Sequence, residues 1–453
     1  VLETLLREKG DNFSLSLLAE VSKLHMPPTG PVVEKDRYSF YVNRTKSASK
    51  VWTSDQYNKY LTYIGREFVS FPPRPVNIAG LMTNNVLDRF VFDAALAEVD
   101  ATSSPGYPFI HLSPLNRGFK DPGLNQEILY FTTCKLLSFL STCDLRGLSY
   151  NEAFLMQNFF FPANVFIKKE PTSVDKIARL IYGTPLNFNI VCRLLFTLFL
   201  DESKISFQFC SHKVGMDMYT QEGIAKIVQF YNGMRARNPC GSIVYSDVRG
   251  WEYSCKVEMH RAWFEAYALA CEKNSRLKPD DFAVFKRVLL NVGYLLEKPF
   301  IAFSDGSLMI SKDFHVLSGL FITHRYNSDM RAALARLATG FDDYSMTNGD
   351  DCDENLPPGW EKDDLVEAYS KVGFIITDVD ECTPERFAFS SQEFLVNELR
   401  RIPLSLTKAV ANYSLSTMVE AKQAIRWFVS GHPRWDLCRQ CFDDIDVRFT
   451  LRD

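Results

Sequence analysis

Two adjacent carboxylates, Asp350 and Asp351, follow Asn348 and Gly349. Asn-Gly is the strongest short signal for a β-hairpin, because both residue types tolerate the positive φ of a two-residue turn. A turn there holds two hard oxygen ligands at the tip of a stiff ribbon. Mg²⁺ needs little more, since it usually takes one or two carboxylates and completes its shell with water and substrate phosphates. The tripeptide alone is weak. At average composition a chain of this length contains a given Gly-Asp-Asp by chance roughly one time in ten, and a solvated acidic turn is the competing reading.

A third acid adds weight. Residues 241–248, GSIVYSDV, form a β-branched and aromatic run that predicts a buried strand with Asp247 at its C-terminal tip. Burying a lone carboxylate is expensive unless it is paired or binds metal. Two strand-tip carboxylates brought together would repel, and a pair of divalent cations about 4 Å apart resolves that repulsion. The same pair can activate a 3′-hydroxyl and stabilise a pyrophosphate leaving group.

Three further groups fit such a centre. Glu252 follows Asp247 by five positions in DVRGWE. The stretch SGLFITHRYNS places Ser318 at a helix N-cap, with Gly319, Thr323 and Asn327 on one face and Gly340 at the C′ position. A Ser-Gly start admits a backbone or base, and the Asn327 amide can read a ribose hydroxyl; a helix with a few neutral polar residues is the plainer alternative. Lys168, Lys169, Lys176 and Arg179 alternate with Ile167, Ile177, Leu180 and Ile181. Cations so interleaved suit a triphosphate clamp, Arg by its planar fork and Lys as a point charge.

The elements that must position these groups follow from the patterning. With 46% hydrophobic and 23% charged residues the chain is globular, which excludes a disordered tail, a collagen-like rod and a disulfide miniprotein. Lys plus Arg minus Asp plus Glu, 51 − 55, gives −4. Bulk charge therefore does not coat nucleic acid, although a local basic channel remains compatible with it. The 11 cysteines, scattered in apolar sequence, predict a reduced intracellular protein, and the lone pair Cys438 and Cys441 reads as a helix pair rather than a zinc site. The longest apolar run, 190–200, is interrupted by Arg193 and too short to cross a bilayer, so no transmembrane segment is expected. Residues 1–110 read as loop-rich around Pro27, Pro28, Pro31, Pro72, Pro73 and Pro75. Helices are predicted over 125–160, 186–206, about 255–305, 318–339 and 361–372, with a mostly helical C-terminus. Short strands near 374–378 and 387–396 join the hairpin and the Asp247 strand. The class is α+β with an antiparallel element, not a doubly wound parallel sheet.

Taken in order, these segments resemble the motifs of viral RNA-dependent RNA polymerases of positive-strand RNA viruses. SSPGYP (103–108) is similar to the template-guiding motif, KKEP with KIARLI to the fingertip motif, and DVRGWE to motif A. SGLFITHRYNS is similar to motif B, NGDD to motif C and FSSQEF (389–394) to the primer-gripping motif. The match spans about 100–395, and VDATSSPGYPF and DVRGWE most resemble the sobemovirus and polerovirus group.

The resemblance implies a right hand: fingers over 1–235 (with a palm helix near 186–206), palm over 236–261 and 311–395, a fingers insertion over 262–310 and a thumb over 396–453. It implies that Asp247, Asp350 and Asp351 hold Mg²⁺ (Mn²⁺ in vitro), that Lys168, Lys169, Lys176 and Arg179 bind the triphosphate, and that Glu252, Ser318, Thr323 and Asn327 select ribose. Ser104, Gly106, Gly319, Phe389, Ser390 and Ser391 would meet template or primer. Nucleoside triphosphates, an RNA template and product strand and other viral replication proteins would be the partners, in a membrane-associated replication complex of the host cytoplasm. Two positions depart from the family pattern. Glu252 stands where motif A has Asp, which speaks mildly for a reverse transcriptase, and Glu381 stands about where motif D often has a Lys proton donor, with Arg386 and Lys371 as distant substitutes. A catalytically silent RNA-binding scaffold is the remaining alternative.

Overall fold

The computed structural model describes residues 2–46, 51–147, 162–173, 176–207, 209–311, 313–341, 343, 345–416 and 418–450. Contrary to the loop-rich expectation, the N-terminal part is largely helical: α1 (Leu2–Lys9), α2 (Asn12–Val21), α3 (Pro31–Lys46), α4 (Ser54–Arg66) and α5 (Arg89–Ala97). The prolines mark joints instead. Pro31 is the first residue of α3, where its missing N–H costs no hydrogen bond. Pro72, Pro73 and Pro75 lie in the irregular stretch between α4 and α5. Between these helices run the short strands β1 (Leu24–His25), β2 (Met82–Thr83) and β3 (Val86–Leu87).

Helices α6 (Leu124–Thr142) and α7 (Leu186–Ser206) stand where the apolar spacing placed them. The remainder of the first predicted helix, over 148–160, lies outside the described residues. Between α6 and α7 come β4 (Ala163–Ile167), β5 (Thr172–Ser173) and β6 (Leu180–Gly183). The chain continues through α8 (Gln221–Arg237), β7 (Ile243–Val248), the single turn α9 (Trp251–Ser254), α10 (Val257–Lys273), α11 (Pro279–Glu297), β8 (Phe300–Ala302) and β9 (Leu308–Ile310). Next are α12 (Thr323–Thr339), β10 (Met346–Asn348), β11 (Asp351–Asn355), α13 (Lys362–Lys371), β12 (Ile376–Cys382), β13 (Arg386–Phe389), β14 (Gln392–Leu395) and β15 (Arg400–Pro403). Helices α14 (Leu406–Leu415), α15 (Val419–Val429) and α16 (Trp435–Thr450) close the chain. The architecture is mixed α+β with small sheets.

One sheet has the order β10-β11-β7-β12, with every pairing antiparallel. Period-2 alternation along β7 explains how an apolar strand carries an acid. Val244 and Val248 enter the main core with residues of α12, whereas Ile243 belongs to a smaller core with Tyr231, Met346, Phe387 and Phe394. Tyr245 and Asp247 continue the second face toward the open end of the strand.

Behind the first face lies a buried polar cluster. Arg331 of α12, fully buried, bonds to Ser246, to Tyr369 of α13 and to Glu354 of β11 (3.3 Å). Tyr369 donates to Glu354 at 2.9 Å, and Ser246 donates to the same carboxylate. Strands β7 and β11 and helices α12 and α13 are thus tied to one guanidinium.

Helix α12 begins five residues later than predicted. Ser318 is not its N-cap, because the Ser318 hydroxyl accepts a hydrogen bond from the Tyr182 N–H (3.1 Å), and 318–322 form turns. Its C-terminus agrees with the reading: Gly340 takes φ +65° and its N–H returns to the Arg336 carbonyl. A second sheet, β6-β4-β8-β9, supports this loop from the other side.

The two chain ends share a core. Leu2, Leu5, Leu6, Leu17 and Val21 pack with Val410, Tyr413, Phe442 and Ile445, and Cys438 and Cys441 are buried there as free thiols. The segment after α2 then pairs β1 with β5, and Lys408 of α14 meets Glu170 at 3.1 Å. The N-terminal residues therefore associate with the C-terminal helices as well as with the basic hairpin.

Removing one partner of a buried ion pair leaves the other charge uncompensated. Glu354→Ala should therefore destabilise the protein by about 3–5 kcal/mol in urea unfolding. Glu393→Ala, which breaks only the exposed 3.5 Å contact with Arg386, should change it by less than about 1 kcal/mol.

Candidate active site

The register of the central sheet brings the acids together. Cys352 pairs with Ser246 and Asp353 with Tyr245, so the next step of the same ladder sets Asp351 across from Asp247. Asp350 sits one residue earlier, in the turn. Asn348 pairs with Asp351, leaving a two-residue loop in which Gly349 takes φ +73°. Only Gly349 uses the left-handed region; Asn348 stays in β10. That corrects the expectation that both turn residues take positive φ, and it matches the hairpin type with glycine at its first central position.

The hairpin tip is held from three sides. The Gly349 N–H donates to the Ser328 hydroxyl of α12 at 2.8 Å. Asn348 donates to Ser390 at 2.6 Å and also hydrogen-bonds His324. Tyr245 donates to Asp351 at 3.1 Å, and Thr377 of β12 donates to Asp247 at 3.1 Å.

The electrostatics are those of crowded like charges. Burial, then repulsion from Asp350, pushes the Asp351 carboxyl up to about 6. Burial also raises Asp247; the Thr377 hydrogen bond opposes this and Asp350 adds to it. Such a donor set fits a divalent cation, which would replace repulsion by shared attraction. Among the described residues, however, no group of three or more His, Cys, Asp or Glu side chains is placed to hold a metal ion by itself. The set suits a cation that takes much of its shell from elsewhere.

Facing the acids is the β4–β6 hairpin. Ile167 pairs with Leu180, and the Lys168 N–H donates to the Arg179 carbonyl at 2.9 Å, so these two cations are ladder neighbours. Desolvation lowers the Arg179 pKa, but Glu252 and Asp350 outweigh it and leave the value raised. Glu252 is pushed up by burial, with Arg179 and Lys168 pulling it down and Asp350 pushing further. Lys168, Arg179, Glu252 and Asp350 therefore share one electrostatic environment. Lys169 and Lys176 are exposed, and among the described residues no contact ties them to it.

The α12 loop supplies the remaining groups. Thr323 spends its hydroxyl proton on the Leu317 and Leu320 carbonyls (2.8 and 2.7 Å), so it shapes the loop. Asn327 is buried, and its side-chain oxygen has no hydrogen-bond partner in the described structure. Gly319 is obligatory. A Cβ there would lie 2.2 Å from the Tyr182 carbonyl oxygen. Gly106, at φ +70°, is held as tightly against Thr184, where a Cβ would come within 2.7 Å.

Ser104 and Gly319 line one cavity of about 400 Å³ with Asn189, Arg193 and Phe321. Arg193 stacks 4.2 Å from the Phe321 ring centroid, a cation in this cavity that the sequence reading took only as an interruption of an apolar run. Ser390 and Ser391 form the tip between β13 and β14, both at positive φ. Phe389 is not with them. Its side chain is buried in the core with Tyr231 and Phe394, because strand alternation turns it away from the tip.

Sequence reasoning missed Tyr245, Thr377, Ser328 and His324. The first was within reach, since a residue two before Asp247 on a strand must share its face. His324 and Ser328 lie inside the SGLFITHRYNS stretch, beside Thr323 and Asn327, and were passed over there; Thr377 comes from a distant strand and carries no local signature.

No family model matches the chain. Over 363 residues it is 22% identical to the replicase polyprotein P2AB of Southern cowpea mosaic virus, a match taking in 77% of the chain and 35% of that polyprotein. The chain thus spans about a third of the length of the curated relative it matches. It is distantly similar to a viral replicase, from the sobemovirus group its motifs resemble.

Gly319→Ala should force the loop off β6 and cost about 1–3 kcal/mol, as overpacking does. Gly250→Ala has open space and pays only for φ +57°, about 1 kcal/mol. Thermal unfolding of the two variants checks the ordering, and an equal shift would contradict the close packing on Tyr182.

Proposed function

We propose that the chain is a template-directed RNA polymerase that replicates a viral RNA genome, with fingers, palm and thumb arranged as a right hand. The observation that carries this reading is the convergence of Asp247, Asp350 and Asp351 at one end of an antiparallel sheet, opposite Arg179 and Lys168. The similarity to a replicase polyprotein supports a role in replication. Association of the chain ends, with β1 on β5 and Lys408 on Glu170, supports a hand closed between thumb and fingers.

In this reading Asp247 and Asp350 hold Mg²⁺ (or Mn²⁺ in vitro), with Asp351 beside them. When bound, the two cations lower the pKa of the attacking 3′-hydroxyl and stabilise the pyrophosphate leaving group. Arg179 and Lys168 draw the triphosphate toward the acids, Arg179 by its fork and Lys168 by its charge. The Asn327 oxygen and Glu252 offer acceptors to a ribose hydroxyl, which is what distinguishes RNA from DNA precursors. Ser318 instead fixes the loop to β6. The cavity of Ser104, Gly319 and Arg193 receives the template strand, and the Ser390-Ser391 tip meets the primer. The chain would work with other viral replication proteins in a membrane-associated complex of the host cytoplasm. Among the described residues no helix is long and apolar enough to cross a membrane.

Glu252 favours one second reading, a reverse transcriptase. Its longer carboxylate could crowd the 2′-hydroxyl rather than accept from it. Primer extension on a defined RNA with ribo- and deoxyribonucleotides separates the two, and ribonucleotide preference is expected. Asp350→Ala should lose at least about a thousandfold in rate, the equivalent of about 4 kcal/mol of transition-state stabilisation. Equal activity in both proteins would remove the metal-site assignment and leave the scaffold reading.

Asp351 also predicts a pH dependence. Its folded-state pKa, about 6, exceeds the ordinary 3.8, so the neutral acid is favoured in the fold. Its contribution to stability is complete below 3.8 and is lost as pH rises through about 6. Cation binding must displace the remaining proton. Thermal unfolding should show a Mg²⁺-induced rise in Tm that grows from pH 5 to about pH 7, whereas a pH-independent rise would place the cation elsewhere.

A further inference from the structure

We propose that Tyr41 is a positioning residue for nucleotide selection, setting the spacing of Glu252 and Arg179 by bracing both segments that carry them. The inference rests on the polymerase reading and deepens it by naming what holds the sugar-testing groups apart.

Glu252 has little local support. It belongs to the four-residue turn α9, entered through Gly250 at φ +57°. A helix of one turn does not hold itself, because nucleation is unfavourable and propagation has not begun. Its position depends on its neighbours in sequence, Trp251 and Tyr253, both buried. Tyr253 is confined on three sides. Tyr41 stacks on its ring at 4.8 Å and 3°, His315 stacks at 5.6 Å and 19°, and its hydroxyl shares a 2.7 Å hydrogen bond with Tyr182.

Arg179 is tied to the end of β4 by the Lys168 N–H on its carbonyl (2.9 Å), and the arm that leads to it depends on a contact from another element. Residues 177–179 have no regular structure before β6 begins. Their carbonyls are held from outside: the Tyr41 hydroxyl lies 3.2 Å from both the Ile177 and the Ala178 oxygen and donates between them. One phenol therefore anchors the arm of Arg179 by its hydroxyl and the turn of Glu252 by its ring face.

The same cluster reaches the third sugar-facing segment. The Tyr182 N–H donates to Ser318, and its carbonyl is the surface on which Gly319 packs. Tyr41, Tyr253 and Tyr182 thus connect the Glu252 turn, the Arg179 arm and the loop before α12. Tyr41 arrives on α3 (Pro31–Lys46).

Plain core packing would give the ring a structural role only, and the hydroxyl separates the two cases. Tyr41→Phe keeps the stack and removes the link to the Arg179 arm; Tyr41→Leu removes both. The test is single-nucleotide extension of an RNA primer–template with CTP and with dCTP, reading kcat and KM separately, beside thermal unfolding. Tyr41→Phe should raise the KM for CTP and lower the CTP-to-dCTP ratio of kcat/KM by about three- to tenfold, the range one hydrogen bond spans. Tyr41→Leu should lower the ratio further. Tyr57→Phe, which loses a comparable bond to Glu265 on the outer surface, should leave the ratio unchanged. A folded Tyr41→Phe protein with unaltered KM and ratio overturns the positioning role while the polymerase reading stands. Failure of the unsubstituted protein to extend the primer overturns the polymerase reading, and this inference with it.

Discussion

Like charges held side by side are the constraint on which the rest of this structure depends. The β7–β11 register sets Asp351 opposite Asp247, and the turn adds Asp350. Their mutual repulsion opposes the pairing that creates the site. What holds the strands together lies on the reverse face, where Arg331 gathers Ser246, Glu354 and Tyr369 into one buried network. Breaking a buried pair costs far more than a surface one, so this cluster can oppose the repulsion in front. The sheet is neutralised behind and left strained by charge at its open end.

Several neighbours then make sense as restraints on that end. Ser328 catches the Gly349 amide, Asn348 reaches Ser390, and Tyr245 and Thr377 donate to the acids themselves. These partners (Ser328, Ser390, Tyr245 and Thr377) come from different segments, and none adds charge. Cationic compensation is concentrated on one side, where Arg179 and Lys168 project from a separate sheet. A polyanionic substrate arriving between the two would meet attraction from the hairpin and, through bound cations, from the acids. The close contacts of Gly106 and Gly319 with β6 bring the remaining segments onto that hairpin.

The association of the chain ends has a related consequence. Helices α1 and α2 share a core with α14 and α16, then deliver β1 to the basic arm. Glu170 lies between Lys168 and Lys408, at 3.0 and 3.1 Å. Lys168 and the C-terminal helices thus meet at a single carboxylate.

The sequence by itself determined the chemistry and the local scaffolds. Asp247 on an apolar strand, Asp350 and Asp351 after Asn-Gly, and Gly340 after an amphipathic run are all short-range patterns, because alternation, turn type and capping depend on adjacent residues. The tertiary structure decided which predicted groups share one place. It joined Lys168 and Arg179 to the acids and left Lys169 and Lys176 outside; it turned Phe389 into a core and committed the Ser318 and Thr323 hydroxyls to the backbone. It also made helices of the N-terminal segment and brought them to the far end of the chain. Those outcomes depend on contacts between residues up to hundreds of positions apart, such as Tyr41 with Tyr253 or Leu6 with Phe442, and spacing along a chain carries no information about such distances.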